Sequence, residues 1–301
     1  MRFIDLKAFR EVPAPSAPLV LCLGNFDGVH SGHRQIIKEA LKIKASNPDF
    51  KCGVWFFEDP LSKPHPTIFS TEQKLECFAR LGLDVAVLAD FGSVRGLSPN
   101  AFIEDILKRD CGCVHALCGE NFRFGAGASA DAERLCELME GNATVVPLLK
   151  EDGVIVSSTL IASLLSEGEI EHANRLLGDR FYFQGKILHG KALGRTLGFP
   201  TTNQALPQSF PLKSGVYATL CRIDQKEYYG ITNLGSRPTV DRECEKNLET
   251  YLLDFSDDCY GKDMRVEFIS RLRDETKFPS LDALRAQIAK DVEALSMLIK
   301  Q

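Results

Sequence analysis

Near its amino end the chain reads Leu19-Val20-Leu21-Cys22-Leu23-Gly24-Asn25-Phe26-Asp27-Gly28-Val29-His30-Ser31-Gly32-His33. Five consecutive apolar residues predict a buried strand, and the glycines that follow allow a tight turn. Apolar residues at helical spacing then predict a helix over residues 34–45. Backbone N–H groups and the helix dipole attract phosphate at such a turn. The stretch therefore indicates an α/β fold with an anion-binding turn between a strand and a helix.

The rest of the amino-terminal half alternates strand and helix patterns. Ser70-Thr71-Glu72-Gln73 has the pattern of a capping box and predicts a helix to residue 81. Ser98-Pro99 predicts a second helix start, with the helix reaching about residue 108. Strands separated by helices of this length indicate a parallel sheet covered on both faces. Apolar runs predict the strands at residues 54–57, 84–88, 114–118 and 144–148.

The pattern changes after about residue 181. Short strand-like runs at residues 217–221, 228–231, 251–253 and 264–269 are broken by turn residues, and no convincing helix lies between them. They predict a compact antiparallel barrel. We therefore expect two domains, residues 1–181 and 182–301. A final helix from Ser280 carries one apolar stripe, made of Leu281, Leu284, Ile288, Val292, Leu295 and Ile299.

The amino-acid composition excludes some classes of protein. The 301 residues are 44% hydrophobic and 26% charged, with a formal net charge of -5, so the chain lacks the basic excess of a general nucleic-acid binder. The longest apolar runs have the length of strands, and no secretion signal is evident, so we expect a cytoplasmic protein that does not enter a membrane. The ten cysteines form no C-x-x-C pair and are interpreted as small buried hydrophobes.

Two histidines stand out in the opening stretch. His30 and His33 are three residues apart, so on a helical turn their side chains face the same way. Two imidazoles there could stabilise the charge that develops on a pentacoordinate phosphate during nucleotidyl transfer. The alternative is a helix-capping turn with two surface histidines.

The second half contains Gly185-Lys186-Ile187-Leu188-His189-Gly190-Lys191-Ala192-Leu193-Gly194-Arg195-Thr196-Leu197-Gly198-Phe199-Pro200-Thr201-Thr202-Asn203. Its glycine spacing would let backbone amides surround phosphate groups, although it is neither a Walker loop nor a dinucleotide fingerprint. Thr201 and Asn203 offer hard oxygen ligands of the kind that Mg²⁺ prefers. Glycine-rich turns that link barrel strands are the alternative, but turn chemistry alone does not require Pro-Thr-x-Asn.

Two further segments, Gly119-Glu120-Asn121-Phe122-Arg123-Phe124-Gly125 and Val156-Ser157-Ser158-Thr159, complete a resemblance that runs almost end to end. The sequence resembles the prokaryotic bifunctional riboflavin kinase/FAD synthetase family. The resemblance implies an α/β Rossmann-like nucleotidyltransferase domain, the FMN adenylyltransferase. An antiparallel β-barrel riboflavin kinase domain with a C-terminal helix would follow it.

The same resemblance implies roles for single residues. Glu249 would be the base for the ribityl hydroxyl of riboflavin, with a solvent-facing glutamate on a strand as the alternative. Asn121 and Arg273 would contact flavin, although a solvated charge run could equally explain Arg273. Asn233 is assigned a structural role. The residues expected to bind ATP are Gly24, Phe26, Asp27, Gly28, Ser157, Ser158 and Thr159 in the first domain, and Gly185, Gly190, Lys191, Gly194, Arg195, Gly198 and Pro200 in the second.

Two departures from the family pattern concern the first domain. Ala162 stands where the family usually has an arginine that would contact triphosphate, and alanine offers no donor. Asp59 stands at an expected histidine position, unless Pro64-His65-Pro66 supplies that histidine through a shifted loop. These departures leave open whether adenylyl transfer is retained, slow, altered or lost.

We therefore expect an enzyme that converts riboflavin to FMN and FMN to FAD, with ATP as co-substrate and Mg²⁺ as cofactor. A riboflavin kinase with a degenerate nucleotide-binding first domain is the alternative, and a flavin-sensing regulator is a third hypothesis. The expected partners are riboflavin, FMN and ATP, without nucleic acid or membrane. The expected state is a monomer or weak homo-oligomer.

Overall fold

A computed structural model describes residues 1–5, 17–57, 66–189, 199–239 and 242–300 of the chain. The chain divides into two compact units, Met1–Ser158 and Thr159–Gln301. This division falls in the first turn of helix Ser158–Glu167, so this helix and the next one are grouped with the barrel. The border expected between residues 181 and 182 stays a prediction.

The first unit is built on a six-stranded sheet whose strand pairs are all parallel, in the order β1-β4-β3-β2-β5-β8. The predicted parallel α/β fold is confirmed. The strands are β1 (Arg2–Asp5), β2 (Leu19–Leu23), β3 (Lys51–Phe57), β4 (Val85–Ala89), β5 (Cys113–Gly119) and β8 (Ala143–Val146), with short pairs β6 (Arg123–Phe124) and β7 (Ala130–Asp131), and β9 (Lys150–Glu151) and β10 (Val154–Ile155).

The helices of this unit start where side chains satisfy their first N–H groups. Ser70 and Gln73 form the predicted capping box, and Ser98 caps the helix that begins at Pro99. That helix continues as a π-helix to residue 110, two residues beyond the expected end. The bounds are α1 (Ser31–Ser46), α2 (Thr71–Arg80), α3 (Phe91–Val94), α4 (Pro99–Ala101) with the π-helix Phe102–Asp110, and α5 (Ala132–Leu138).

The second unit opens with two helices and closes into a barrel. Six antiparallel strands pair in the order β11-β16-β13-β14-β15-β12, which confirms the predicted barrel. The elements are α6 (Ser158–Glu167), α7 (Ile170–Leu177), β11 (Tyr182–Lys186), β12 (Thr201–Ala205), β13 (Gly215–Ile223), β14 (Lys226–Thr239), β15 (Arg242–Leu252), β16 (Asp263–Arg273) and α8 (Leu281–Ile299).

Gln204 joins the two end strands of this sheet. Its side chain is only 1% exposed, and its Nε2 donates to the carbonyl oxygens of Gly185 on β11 (2.7 Å) and Met264 on β16 (2.8 Å). The backbone N–H of Leu188 also donates to the carbonyl of Asn203. The hydrogen bonds made by the Gln204 side-chain amide link β12 to both β11 and β16. The barrel is therefore nearly closed.

A chain of threonine hydroxyls crosses the barrel interior. The Thr219 hydroxyl donates to the carbonyl of Gly230 at 3.1 Å, and its oxygen lies 2.8 Å from the Thr232 hydroxyl. The Thr232 oxygen lies 3.0 Å from the Thr250 hydroxyl, and Thr202 donates to the Thr250 carbonyl at 3.3 Å. All four side chains are buried. The hydroxyls thus connect β13, β14, β15 and β12 on the inner face.

The C-terminal helix packs on the outer face of the barrel. Leu295 of α8 forms an apolar cluster with Val216, Ala218 and Ile231, and Val292 packs against it. Leu281, which belongs to the predicted apolar stripe, is 65% exposed, so the stripe reaches the barrel only along its middle. Within the described residues, no helix is long and apolar enough to cross a membrane. The described cysteines are free thiols and all but Cys136 are buried, as expected.

Candidate active sites

One row of side chains crosses the outer face of the barrel. The register pairs Asn203 with Glu249, Glu249 with Asn233, Asn233 with Val216, and Val216 with Arg273. Directly paired residues of antiparallel strands point to the same face. The register therefore places the expected base, a metal-ligand candidate and the flavin-contact candidate along one line.

Thr201 and Glu249 meet beside this row. The Thr201 hydroxyl donates to Glu249 Oε1 at 2.8 Å. Thr201 and Asn203 are two residues apart on β12, so their side chains share a face. A hydroxyl, an amide oxygen and a carboxylate form a set of hard oxygen donors that suits Mg²⁺ with phosphate oxygens completing its shell. The residues present fit the metal that the sequence predicted.

Two cavities adjoin these side chains. The first, called here the apolar cavity, has a volume of about 360 Å³ and includes Ile231, Glu249, Tyr251, Arg273 and Phe278 in its wall. The second, called the polar cavity, has a volume of about 340 Å³ and is lined by residues of the segments 200–202 and 255–260. Thr201 lines both cavities. A group bound in one cavity can therefore meet a group bound in the other at Thr201.

Arg273 is not a solvated surface charge. Its Nε donates to both carboxylate oxygens of Asp291 (3.0 and 3.1 Å), and its Nη2 donates to Asp291 Oδ2 at 2.8 Å. Its Nη1 donates to the backbone carbonyl of Asp274 at 3.1 Å, and the guanidinium lies over the Phe278 ring. The structure thus sets Arg273 firmly in the wall of the apolar cavity.

Sequence reasoning missed Asn233 as a site residue. It was assigned a structural role, but it lies in the row beside Glu249 and lines the apolar cavity. Its Nδ2 donates to Glu275 Oε1 at 3.3 Å. The alternation of β14 could have shown which face Asn233 occupies, but only the register shows that its neighbour is Glu249.

The expected ATP-binding residues of the second half are only partly described. Gly190, Lys191, Gly194, Arg195 and Gly198 lie outside the described residues. Pro200 is exposed and lines the polar cavity, which agrees with a place beside a nucleotide. Gly185 lies within β11, where an added Cβ would come within 2.9 Å of the Phe183 ring, so a larger residue would have to displace that ring.

The turn between β2 and α1 lies where the strand order of the first unit reverses. From β2 the chain adds β3 and β4 on one side and later returns to add β5 on the other. Ligands of open parallel sheets bind outside the carboxyl ends of the strands at this reversal. The segments that follow β2 and β5 are those from Gly24 and Glu120, so the fold brings both predicted segments to one place.

Backbone strain marks this turn. Phe26, Gly28 and Val29 have positive φ values of 51°, 74° and 44°. For a β-branched residue such as Val29 this conformation is costly, roughly 1–3 kcal/mol, and such strain concentrates at ligand-binding turns. The Phe26 and Asp27 side chains are both buried, so a nucleotide would contact them through the backbone.

The Asp27 carboxylate is occupied by the protein itself. Its Oδ1 accepts hydrogen bonds from the backbone N–H groups of Ile68 (3.0 Å) and Phe69 (3.2 Å). Ser158 Oγ donates to the Asp27 carbonyl at 3.0 Å. Asp27 and Ser158 were both predicted to bind ATP. Their contacts show that they also shape the turn, with Asp27 holding the segment before α2.

His30 and His33 lie face to face, as their spacing predicts. The two rings are stacked with centroids 3.6 Å apart and planes 19° apart. His30 caps α1, and its Nδ1 accepts from the His33 backbone N–H at 3.4 Å. His30 is only 6% exposed, and burial lowers its pKa from 6.5 to about 4, against the opposing charge of Asp27. At neutral pH, therefore, His30 is an uncharged imidazole.

This low pKa predicts an acid-sensitive first unit. Unfolded His30 takes up a proton near pH 6.5, whereas the folded residue stays neutral to about pH 4, so acid favours the unfolded chain. We expect the free energy of unfolding to fall by about 2 kcal/mol from this residue between pH 7 and pH 5. Urea unfolding at both pH values would measure it.

His30→Asn is the matched comparison for this measurement, because asparagine also caps helices but does not titrate. The variant should lose about 2 kcal/mol less than the original chain over the same pH range. His115, whose pKa burial also lowers, remains in both proteins and cancels in the difference. Equal losses in the two proteins would contradict the assignment.

The remaining first-domain residues are placed as follows. Ser157 and Ser158 are partly buried at the start of α6, and Thr159 is exposed in its first turn. Ala162 is 4% exposed, so an arginine at this position would have to extend its charged group out of a buried site. Asp59 and Pro64-His65-Pro66 lie outside the described residues.

An aromatic cavity of about 440 Å³ opens beside the carboxyl end of β3 and the segments that follow β4 and β5. Its walls include Trp55, Phe57, Phe91, Phe102, Phe122 and Phe124. Asn121, the predicted flavin contact, is exposed and directly precedes Phe122. Sequence reasoning missed this cavity because its aromatic residues come from four separate segments of the chain.

Sequence models of known protein families match both halves of the chain. A sequence model described as FAD synthetase matches residues 13–160, and one described as riboflavin kinase matches residues 177–299. The crystal structure of a protein named as a macrolide-efflux protein from Streptococcus pneumoniae has a TM-score of 0.89 and 29% identity, covering 98% of each chain. That name describes the other protein, and we take from this match only the likeness of fold.

Two curated relatives carry the same name. The bifunctional riboflavin kinase/FMN adenylyltransferase of Escherichia coli (strain K12) is 35% identical over 289 residues, which cover 92% of this chain and 92% of that protein. The one from Bacillus subtilis (strain 168) is 33% identical over 288 residues, covering 91% and 90%. Identity of this extent along both domains shows that the chain belongs to the bifunctional riboflavin kinase/FMN adenylyltransferase family.

Proposed function

We propose that the second unit transfers the γ-phosphoryl group of ATP to the ribityl hydroxyl of riboflavin, with Glu249 as base. The observation that carries this assignment is the position of Thr201, which lines both barrel cavities and donates to Glu249. Riboflavin would fit the apolar cavity, since its isoalloxazine ring is planar and has an apolar dimethylbenzene end. ATP fits the polar cavity, whose segment 200–202 follows the glycine-rich loop.

The chemistry then follows from the positions of the side chains. The oxygen of the ribityl hydroxyl bonds to the γ-phosphorus of ATP while Glu249 Oε accepts the proton of that hydroxyl. The bond between the γ-phosphorus and the oxygen that bridges it to the β-phosphorus breaks, and ADP leaves. Thr201 holds the carboxylate in place through its 2.8 Å hydrogen bond. Mg²⁺, when bound to Thr201 and Asn203, would neutralise charge on the phosphates.

For the first unit we propose adenylyl transfer to FMN at the turn after β2. A phosphate oxygen of FMN bonds to the α-phosphorus of ATP, and pyrophosphate leaves. His30 and His33 would stabilise the charge on that phosphorus by donating hydrogen bonds. The backbone N–H groups of the strained turn and the Ser157 hydroxyl would hold phosphates.

The aromatic cavity is the proposed flavin site of the first unit. Phe57 and Phe122 offer ring faces and edges of the kind that hold a planar isoalloxazine. Asn121, exposed beside Phe122, would contact a polar edge of the flavin. In this arrangement FMN and ATP meet at the reversal of strand order.

The proposal also covers the localisation, the oligomeric state and the partners of the enzyme. A net charge of -5 without a basic excess argues against nucleic-acid partners. We propose a cytoplasmic monomer or weak homo-oligomer whose partners are riboflavin, FMN and ATP.

A product assay tests both reactions at once. The purified protein receives Mg-ATP with riboflavin in one tube and with FMN in another, and flavins are separated by chromatography. We expect FMN and FAD from riboflavin, and FAD from FMN. FMN without FAD in either tube would overturn the first-unit proposal. No change in either flavin would overturn both.

A further inference from the structure

Asp291 is a buried carboxylate for which the proposed reaction has no use. It lies on α8, is 4% exposed, and forms part of the wall of the apolar cavity. It accepts three hydrogen bonds from Arg273 at 2.8–3.1 Å and one from Gln287 Nε2 at 2.9 Å. A carboxylate is buried at such a place only when a partner compensates for its lost hydration.

These hydrogen bonds hold the Arg273 guanidinium in one orientation, and the Asp291 carboxylate compensates its charge. Asp291 takes the edge formed by Nε and Nη2, and the Asp274 carbonyl takes one N–H of Nη1. A planar guanidinium held on two edges cannot rotate, which is the geometric advantage of a two-point arginine–carboxylate contact. Phe278, whose ring lies 5.7 Å from the guanidinium carbon, completes this part of the wall.

We infer that Asp291 is a positioning residue for the acceptor flavin, acting through Arg273, so that α8 is a working part of the kinase site. This inference rests on the proposed placement of riboflavin in the apolar cavity. Without Asp291 the arginine would be free to turn toward Glu275 or Glu249, which line the same cavity. Either contact would remove the flat cationic surface from the flavin site.

The inference predicts that loss of Asp291 weakens riboflavin binding and leaves the rate of phosphoryl transfer nearly unchanged. Asp291 touches neither Thr201 nor Glu249 among its described hydrogen bonds, so the phosphoryl-transfer step itself should be little affected. Its loss should raise the KM for riboflavin by about tenfold or more, which corresponds to about 1.4 kcal/mol of binding. The KM for ATP and kcat at saturating riboflavin should each stay within about threefold of the original values.

The experiment uses the full-length protein and three variants, Asp291→Asn, Arg273→Gln and the double variant. Asp291→Asn keeps the side-chain shape and removes the charge. Glu293→Gln, on the exposed side of the same helix, is the matched control and should leave all constants unchanged. Thermal unfolding of each variant without ligand reports any loss of stability separately from the kinetic constants.

The decisive result is the comparison with the double variant. If Asp291 acts through Arg273, Asp291→Asn should raise the KM for riboflavin in the original chain but not in the Arg273→Gln background. Equal effects in both backgrounds, or an unchanged KM, would overturn the inference while the proposed kinase function stood. Absence of riboflavin phosphorylation by the original chain would instead overturn the proposed function. An Asp291→Asn chain that failed to fold would be replaced by Asp291→Glu, which keeps the charge and should retain a near-original KM.

Discussion

Glu249→Gln should lower kcat for riboflavin phosphorylation by about 1,000-fold, the middle of the range for loss of a general base. Glutamine keeps the size of the side chain and an oxygen that can accept from Thr201, so the 2.8 Å contact and the fold should survive. It cannot take the proton of the ribityl hydroxyl. Formation of FMN from riboflavin, followed under saturating Mg-ATP, measures the effect.

Two internal comparisons make this result specific. The same variant should convert FMN to FAD at the original rate, because that reaction belongs to the other unit. Glu227→Gln, an exposed glutamate on β14 that pairs with Arg222, should change neither reaction. A Glu249→Gln chain that kept kcat within threefold would exclude Glu249 as the base.

His33→Ala should lower kcat for adenylyl transfer to FMN by about 100-fold, the lower end of the range for removing one donor to transition-state charge. The ring stacks directly on His30, which burial keeps uncharged at neutral pH, so the pair would act by donating hydrogen bonds. An interaction made only in the transition state affects kcat rather than the KM for ATP. Rates of FAD formation from FMN at several ATP concentrations measure both constants.

Lys38→Ala is the control for this variant, since Lys38 is exposed on the same helix. It should leave adenylyl transfer unchanged, and both variants should phosphorylate riboflavin normally. A His33→Ala chain that raised only the KM for ATP would indicate a ground-state contact to nucleotide instead.

The sequence predicted the elements whose signals are local. The all-apolar run at Leu19–Leu23 needs no partner to be recognised, and the Ser70 capping box is complete within four residues. Strand β1 was not predicted, because Arg2–Asp5 is short and has a charged residue at each end. It becomes a strand through its parallel pairing with β4, which local patterns do not reveal.

Some residues of the candidate sites could likewise be predicted from local sequence signals, and others could not. His30 and His33 could be predicted as a pair, because three-residue spacing fixes their common direction on a helix. Asn233 and Asp291 could not, because their places depend on the register of β14 with β15 and on where α8 crosses the barrel. These are tertiary facts, and neither residue belongs to a local motif with a chemical meaning of its own.

The threonine hydroxyls inside the barrel stabilise the native pairing register of its strands. Glu249 and Asn233 face the outside of the barrel, whereas their chain neighbours Thr250 and Thr232 face the inside. Slipping one strand by a single residue would exchange the two faces. It would bury the Glu249 carboxylate and separate interior hydroxyls from their partners, at a cost of about 1–3 kcal/mol for each hydroxyl left unsatisfied. The interior threonines therefore disfavour the mispaired barrel.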